Sequence, residues 1–255
     1  MVEWLAHAPL PLLAVIVFSS LYLAVALLLA VLHLVRRRGR GDALGPLSPG
    51  LLAPMGLIFG LLVGFLVADV WADRGDASAA VSQEASAIRD VDLLMAAFPA
   101  ERPRVQQLLR GQIDHYVVDE WPQMSDGGAT LAVAPAGLVA VQEIALGLPV
   151  ATDGQRVAQE RIVTSADRAL ESRRARLVLS TSAIDPLRLV ALFLVAVVTL
   201  AAMGCVQADR LPRAAVAMAL LATAMALAMT LLCAQAAPFA GYFAIDPDLL
   251  LQVRP

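Results

Sequence analysis

The sequence contains no lysine: all 19 of its basic side chains are arginines, a bias that reads as genomic base composition rather than chemistry. Charge of either sign is scarce, at 16% of residues against about 25% in soluble domains. That excludes an ordinary water-soluble domain. Only two cysteines occur, Cys205 and Cys233. Both fall in apolar runs, and in an antiparallel helix pair they lie near opposite faces of a bilayer, out of reach of one another for a disulfide. His7, His33 and His115 are scattered, so there is no metal-ligand spacing. No P-loop, dinucleotide fingerprint, HExxH or GxSxG is present. Neither catalytic residues, nor a metal, nor a cofactor are expected. No alternating β-branched run appears, which argues against a sheet. The formal net charge is −3, and nucleic acid is not expected as a partner.

What the chain does have is apolar length. It is 59% hydrophobic over 255 residues, with a mean hydropathy of +0.73; soluble domains sit near about 45–50% apolar. Four runs are long enough to cross a membrane, for which about 20 apolar residues suffice. They cover 9–35, 51–70, 187–206 and 214–235. The first begins MVEW and ends in RRRGR, the wrong flanks for a cleaved signal peptide. Pro54 sits in the first turn of the second, where a missing N–H costs little. The last two are joined by QADRLPR, which makes them an antiparallel hairpin. Its final helix is rich in alanine and methionine, and small residues let helices approach closely in lipid.

Residues 71–185 are different material: acidic, arginine-containing and helix-patterned. Residues 76–98 can continue the second membrane helix, with Gly75 as the one breaker. In 101–121, Val105, Leu109, Ile113 and Val117 recur four apart as one apolar face, and Pro122 with the glycine pair of WPQMSDGG is expected to stop that helix. Trp121 is then a packing plug in the loop. A short helix follows around 136–147. Thr152 or Asp153 caps a long one running to about 182, with Ile162, Ala166, Leu170 and Leu177 inward. Residues 236–255 read as a short, turn-rich tail. The expected fold is all-α: an integral membrane protein of four transmembrane helices, with a helical soluble bundle inserted between helices 2 and 3.

Sidedness follows from arginine. The loop 36–50 carries Arg36, Arg37, Arg38 and Arg40 against Asp42, and the loop 207–213 carries Arg210 and Arg213 against Asp209. The segment 71–188 holds 12 Arg and 16 acids. The positive-inside rule puts both short loops in the cytoplasm and the bundle and both termini outside. Arg74, Arg173, Arg174, Arg176 and Arg188 stand on the other side of that balance.

The stretch GLIFGLLVGFLVADVWADRGD, 56–76, carries the functional signal. At 100° per residue with Gly56 at zero, Gly60, Gly64 and Ala68 fall at about 40°, 80° and 120°, whereas Asp69, Asp73 and Asp76 fall at about 220°, 260° and 200°. One face is shaped for close helix contact and the other for water or cations. The acid face continues back into the membrane through Phe65, Leu62 and Ile58. A symmetric ring of such helices makes an apolar neck, a constriction that gates by dewetting, opening into an acidic vestibule. On the other reading, Ile58, Leu62 and Phe65 face lipid and the aspartates mark where the helix leaves the membrane. Trp71 stands at that boundary as an interface anchor.

Four segments carry a resemblance: SQEASAIRDVDLL (82–94), HYVVDEWPQM (115–124), RRARLVLSTSAIDPL (173–187) and PFAGYFAIDP (238–247). With Glu120-Trp121-Pro122 and Pro238-Phe239 as the most specific pieces, nearly the whole chain resembles a bacterial membrane family labelled bestrophin-like. The resemblance implies four transmembrane helices around a helical soluble segment. The label implies kinship with bestrophins, which are pentameric anion channels with a hydrophobic neck on the second helix and their soluble bulk in the cytoplasm. Family members often carry an acid and an arginine just before the Pro-Phe pair; Ala236 and Ala237 stand there here. The leading expectation is a homo-oligomer, five copies on this resemblance, that passes ions along helix 2, with the lipid bilayer, ions and copies of itself as partners. The alternative is a non-conducting scaffold or sensor whose bundle binds a partner or ligand. A membrane enzyme is poorly supported, because no ionisable group stands at the bilayer centre.

Overall fold

The computed structural model describes residues 9–38, 50, 52–181, 186–208 and 210–255. His7, Arg40, Asp42, Leu51, Asp185 and Asp209 lie outside the described residues. Among those described there is no strand, and the chain is all-helical with four helices long and apolar enough to cross a membrane. These are α1 (Leu10–Arg37), α2 (Leu52–Leu94), α7 (Pro186–Val206) and α8 (Leu211–Ala234). Between α2 and α7 come a 3-10 turn at Met95–Ala97, α3 (Arg102–His115), a π-helical turn at Tyr116–Glu120, α4 (Trp121–Ser125), α5 (Ala136–Leu146) and α6 (Asp153–Ser180). The last element is α9 (Asp248–Gln252). The chain divides into two compact units, Met1–Trp71 with Ala183–Ala236, and Ala72–Ser182 with Ala237–Pro255.

The first unit is built on α1, α7 and α8. Leu13, Val17, Leu21 and Val25 repeat every four residues along one face of α1 and are buried. They meet Leu192, Ala196 and Leu200 of α7 and Met218, Ala222, Met225 and Ala226 of α8. The alanines allow close approach, and methionine fills the irregular gaps left between helices. The fit is tight at Gly204, where an added Cβ would lie 3.0 Å from Leu32 Cδ1 and 3.1 Å from Met218 Sδ. Tyr22 and Thr223 share a hydroxyl hydrogen bond of 2.8 Å. Both cysteines are free thiols.

The second unit has its own core. Val105, Leu109 and Ile113 are fully buried and Val117 packs against them, as the four-residue spacing requires. They meet Ile88 and Val91 of α2, Leu138 and Val141 of α5, and Ile162, Ala169 and Leu177 of α6. Gly75 does not break α2, which runs for 43 residues. Thr152 caps α6 by accepting from the Gln155 N–H at 3.2 Å. Pro122, expected to stop a helix, instead sits in the first turn of α4. The reason is the π turn just before it, which widens the backbone spiral where the proline ring would crowd the carbonyl of Val118. The stop comes five residues later: Gly127 adopts φ 71°, and the Gly128 N–H returns to the Gln123 carbonyl at 2.9 Å, a glycine C-cap. Trp121 is therefore helical rather than in a loop, and it is a plug. Its Nε1–H donates to the Ile245 carbonyl at 2.9 Å, and its ring meets Phe239 edge-on at 5.8 Å. The segment 237–255 thus packs into this unit, with Phe239 and Leu250 buried and Arg254 donating to Asp114 at 2.7 Å.

Candidate functional site

Two groups of residues stand out. The first is the membrane half of α2. Phe59, Leu66 and Val70 are its buried side. On the flanks of that side, Gly56, Gly60, Gly64 and Ala68 are exposed, as are Ile58 and Phe65, at 52% and 68%, while Leu62 is half-buried. A Cβ added at Gly56, Gly60 or Gly64 would meet nothing within 4 Å. The glycine stripe is not used for packing within the described chain, whereas on the other stripe Leu62 packs against the core and Ile58 and Phe65 remain exposed. Asp69, Asp73 and Asp76 are all exposed. Asp69 is not a bare carboxylate: it accepts from Arg188 Nη1 at 2.8 Å, both side chains more than half exposed. Trp71 Nε1–H donates to Gln235 Oε1 at 2.9 Å.

The second group was not assigned from sequence. α6 carries Arg173 and Arg176 three residues apart, on one helix face. α2 contributes Glu84, the π turn Tyr116 and Glu120, and α4 Trp121 and Met124. Arg176 is fully buried and donates to Glu84 through Nε (2.8 Å) and Nη2 (3.3 Å), and to Glu120 Oε2 through Nη2 at 3.1 Å. Its Nη1 points at Met124 Sδ, 3.3 Å away. Its guanidinium carbon lies 4.9 Å from the Tyr116 ring centre and 4.7 Å from that of Trp121, within cation–π range of both. Arg173 donates to Glu120 Oε1 through Nε at 2.8 Å and Nη2 at 2.5 Å, and to the Val133 carbonyl at 3.0 Å. Two cations and two anions are removed from water together, and the geometry is forked and charge-assisted, which is what such burial requires.

The electrostatics follow from that burial. Burial pushes the Glu84 carboxyl above the ordinary carboxylate range, outweighing the opposing pull of Arg176. Burial would lower the Arg176 guanidinium, but Glu84, with Glu120 and Tyr116, more than offsets it and holds the pKa above the usual value. Tyr116 is raised well above 10.0, by burial first and then by Glu84 and Glu120. Its hydroxyl is buried and has no partner among the described residues, while its ring faces both guanidinium groups. One consequence is testable. Because the folded state holds this proton more tightly than the unfolded one, the Tyr116 contribution is intact below about pH 10 and stability falls as pH rises beyond it. In an absorbance titration of phenolate, one of the three tyrosines is expected to ionise only on unfolding, and Tyr116→Phe removes that late step.

A sequence signal for the cluster does exist. Taking Ile162 as zero, Ala166 and Leu170 fall at about 40° and 80°, and Arg173 at about 20°, on the apolar stripe itself. Glu84 likewise falls among Ala77, Ile88 and Val91. A charge on the inward face calls for a buried partner. The members of the cluster are moreover distributed over three of the four segments that carry the family resemblance, while Phe239 and Ile245, which seat Trp121, come from the fourth. Among the described residues no group of three or more His, Cys, Asp or Glu side chains is placed to hold a metal.

Comparison with known proteins agrees with this architecture. No curated protein matches the chain. Crystal structures of a bacterial bestrophin homologue from Klebsiella pneumoniae share its fold. One variant superposes with a TM-score of 0.69 at 11% identity, covering 94% of this chain and 96% of the other. A second gives 0.70 at 13% identity, covering 92% and 94%, and a third structure of the homologue gives 0.68 at 12%, again over 92% and 94%. At such identities the likeness is one of fold. The model of the bestrophin-like domain matches residues 19–250, and the chain belongs to the bestrophin-like family.

Proposed function

We propose that copies of this chain assemble in a bacterial inner membrane into a pore that passes ions and is lined by α2. The observation that carries this is how little of α2 its own chain covers. Only 11% of its apolar window is buried, against 22%, 28% and 39% for α1, α7 and α8. A small-residue stripe that served packing within one chain would be covered there; Gly56, Gly60 and Gly64 face open space. That favours a second copy as the neighbour, because small residues let backbones approach closely in lipid. Ile58, Leu62 and Phe65 then turn to a common axis as an apolar neck, with Asp69, Asp73 and Asp76 at its mouth. Membership of a family related to channels, rather than to enzymes, supports the same reading, with five copies as the expected number. The segment 72–182 is the water-exposed bundle of this assembly. Planar-bilayer recording of the purified protein tests the proposal: unitary currents are expected, and a silent bilayer removes it.

The ion pair at the mouth bears on selectivity. Asp69→Asn leaves Arg188 unneutralised and is expected to move the reversal potential toward anions; Arg188→Gln moves it toward cations. The pair is exposed, so each change in permeability ratio stays within about fivefold. Sidedness is read from the arginine loops, which stand in the cytoplasm with the bundle outside. Thiol labelling of Arg40→Cys and Asp126→Cys in intact cells checks it. Impermeant reagent reaching position 126 alone agrees, and the reverse pattern puts the bundle in the cytoplasm, as in bestrophins.

A further inference from the structure

We propose that a groove between α3 and α5 binds a small organic carboxylate, an anion with one charge and an apolar body. The groove has a volume of about 640 Å³. One wall is a face of α3. Taking Arg104 as zero at 100° per residue, Leu108, Gly111 and His115 fall at about 40°, 340° and 20°, and Gln112 at about 80°. The other wall is Val133, Ala134 and the first turn of α5. Among the described residues no acidic side chain lines it. Two glycines shape it. Gly137 seats the start of α5 on α3: an added Cβ would lie 2.9 Å from Gln112 Cβ and from the Leu108 carbonyl oxygen. Gly111 stands inside α3, where glycine is weaker than alanine. An added Cβ there would meet nothing within 4 Å, so no neighbour requires the glycine, and its missing side chain keeps the groove open.

Gln112 points to a ligand. It lines the groove and is 4% exposed. Its Oε1 accepts the Gly137 N–H at 2.8 Å. That contact fixes the amide, since the flipped form would set donor against donor. Nε2 is therefore the donor, and it is buried with no acceptor among the described residues. A buried donor left unmade is costly, and a carboxylate oxygen supplies the missing acceptor. Charge favours an anion. Pro135 at the N-cap gives α5 no side-chain cap, so the positive end of an 11-residue helix borders the groove, an arrangement that attracts negative charge. Arg104 has no ion-pair partner among the described residues, whereas His115 is paired with Asp119 at 2.6 Å. One unpaired cation matches one negative charge. Leu108, Ala134, Ala136 and Val133, the last 52% exposed, offer apolar surface that an inorganic anion would leave uncovered. The Val133 carbonyl also accepts from Arg173 at 3.0 Å, which ties the wall a ligand touches to the buried charge cluster. Binding is read without conduction, so the site stands or fails separately from the pore.

The test uses full-length protein in phosphatidylcholine nanodiscs, with para-fluorobenzoate as the probe and fluorine NMR line broadening as the readout; empty nanodiscs give the background from partition into lipid. Saturable binding with a Kd of about 1 mM or tighter is expected, within what some ten heavy atoms can supply. Benzoate competes, and neutral benzyl alcohol does not. Gly111→Leu fills the groove and Arg104→Gln removes its cation; each is expected to weaken binding at least about tenfold. Arg161→Gln, an exposed arginine on α6 outside the groove, leaves binding unchanged. Gln112→Glu keeps an acceptor for the Gly137 N–H but turns the donor into a second oxygen, and is expected to abolish binding. If that buried variant fails to fold, the two changes at exposed positions still decide. Binding indifferent to Gly111→Leu and Arg104→Gln overturns the site. Competition by inorganic phosphate as strong as by benzoate overturns the carboxylate assignment. Absence of saturable binding overturns both, including the case in which an adjacent copy covers the groove.

Discussion

Arg176→Ala is expected to destabilise the second unit by about 3–5 kcal/mol, the cost of breaking a buried ion pair by removing one partner. The magnitude follows from what is left behind. Among the described residues Glu84 keeps no cation of its own: both of its contacts run to Arg176, and both side chains are fully buried. Glu120 loses its Oε2 partner but retains Arg173 on Oε1. Tyr116 and Trp121 lose the guanidinium between their rings, and a cavity opens. Denaturant unfolding in detergent, followed by Trp121 fluorescence with Trp4 and Trp71 replaced by Phe, measures the loss. Arg176→Lys keeps the charge but not the fork that reaches Glu84 twice and Glu120 once, so it recovers only part. Glu84→Leu combined with Arg176→Leu removes the charges as a pair and is expected to cost less than Arg176→Ala alone. A loss below about 1 kcal/mol for Arg176→Ala, the range of an exposed pair, would mean that the cluster does not hold the unit together.

The second large effect is on conduction. Phe65 is 68% exposed and follows Ile58 and Leu62 on the face proposed to line the neck. Replacing it by alanine in every copy widens the neck and removes a ring of apolar surface. Keeping that surface dry is what blocks ions, and a phenyl ring is worth about 1.5–3 kcal/mol of apolar transfer. Lowering the barrier by about 1.4 kcal/mol is tenfold in rate. Phe65→Ala is therefore expected to raise the open-state current or open probability at least about tenfold in planar bilayers, while Leu220→Ala on exposed α8 surface changes neither. A Phe65→Ala protein with wild-type currents would move the pore away from α2.

Much of the architecture was readable residue by residue. Four apolar runs gave four helices, since about 20 apolar residues have few alternatives in lipid. The spacing of Val105, Leu109 and Ile113 gave the buried face of α3. Boundaries were less legible where backbone geometry intervened: Pro122 reads as a stop, and only a π turn lets the helix pass it. The segment 236–255 reads as a tail, because the feature that anchors it, the Ile245 carbonyl receiving the Trp121 N–H, depends on a contact 124 residues away in sequence. The charged cluster was half visible. Arg173 and Glu84 stand on apolar stripes, yet pairing them requires knowing that α2 and α6 meet. The stripes of α2 were visible in the sequence; the proposed neck needs a neighbouring copy, which one chain does not contain.

The most direct measurement is a density map of the purified protein in lipid nanodiscs. The expected result is a rotationally symmetric oligomer in which Ile58, Leu62 and Phe65 of each copy face the shared axis and Gly56, Gly60 and Gly64 meet the adjacent copy. A single protomer, or an oligomer with Ile58 and Phe65 against lipid, contradicts it.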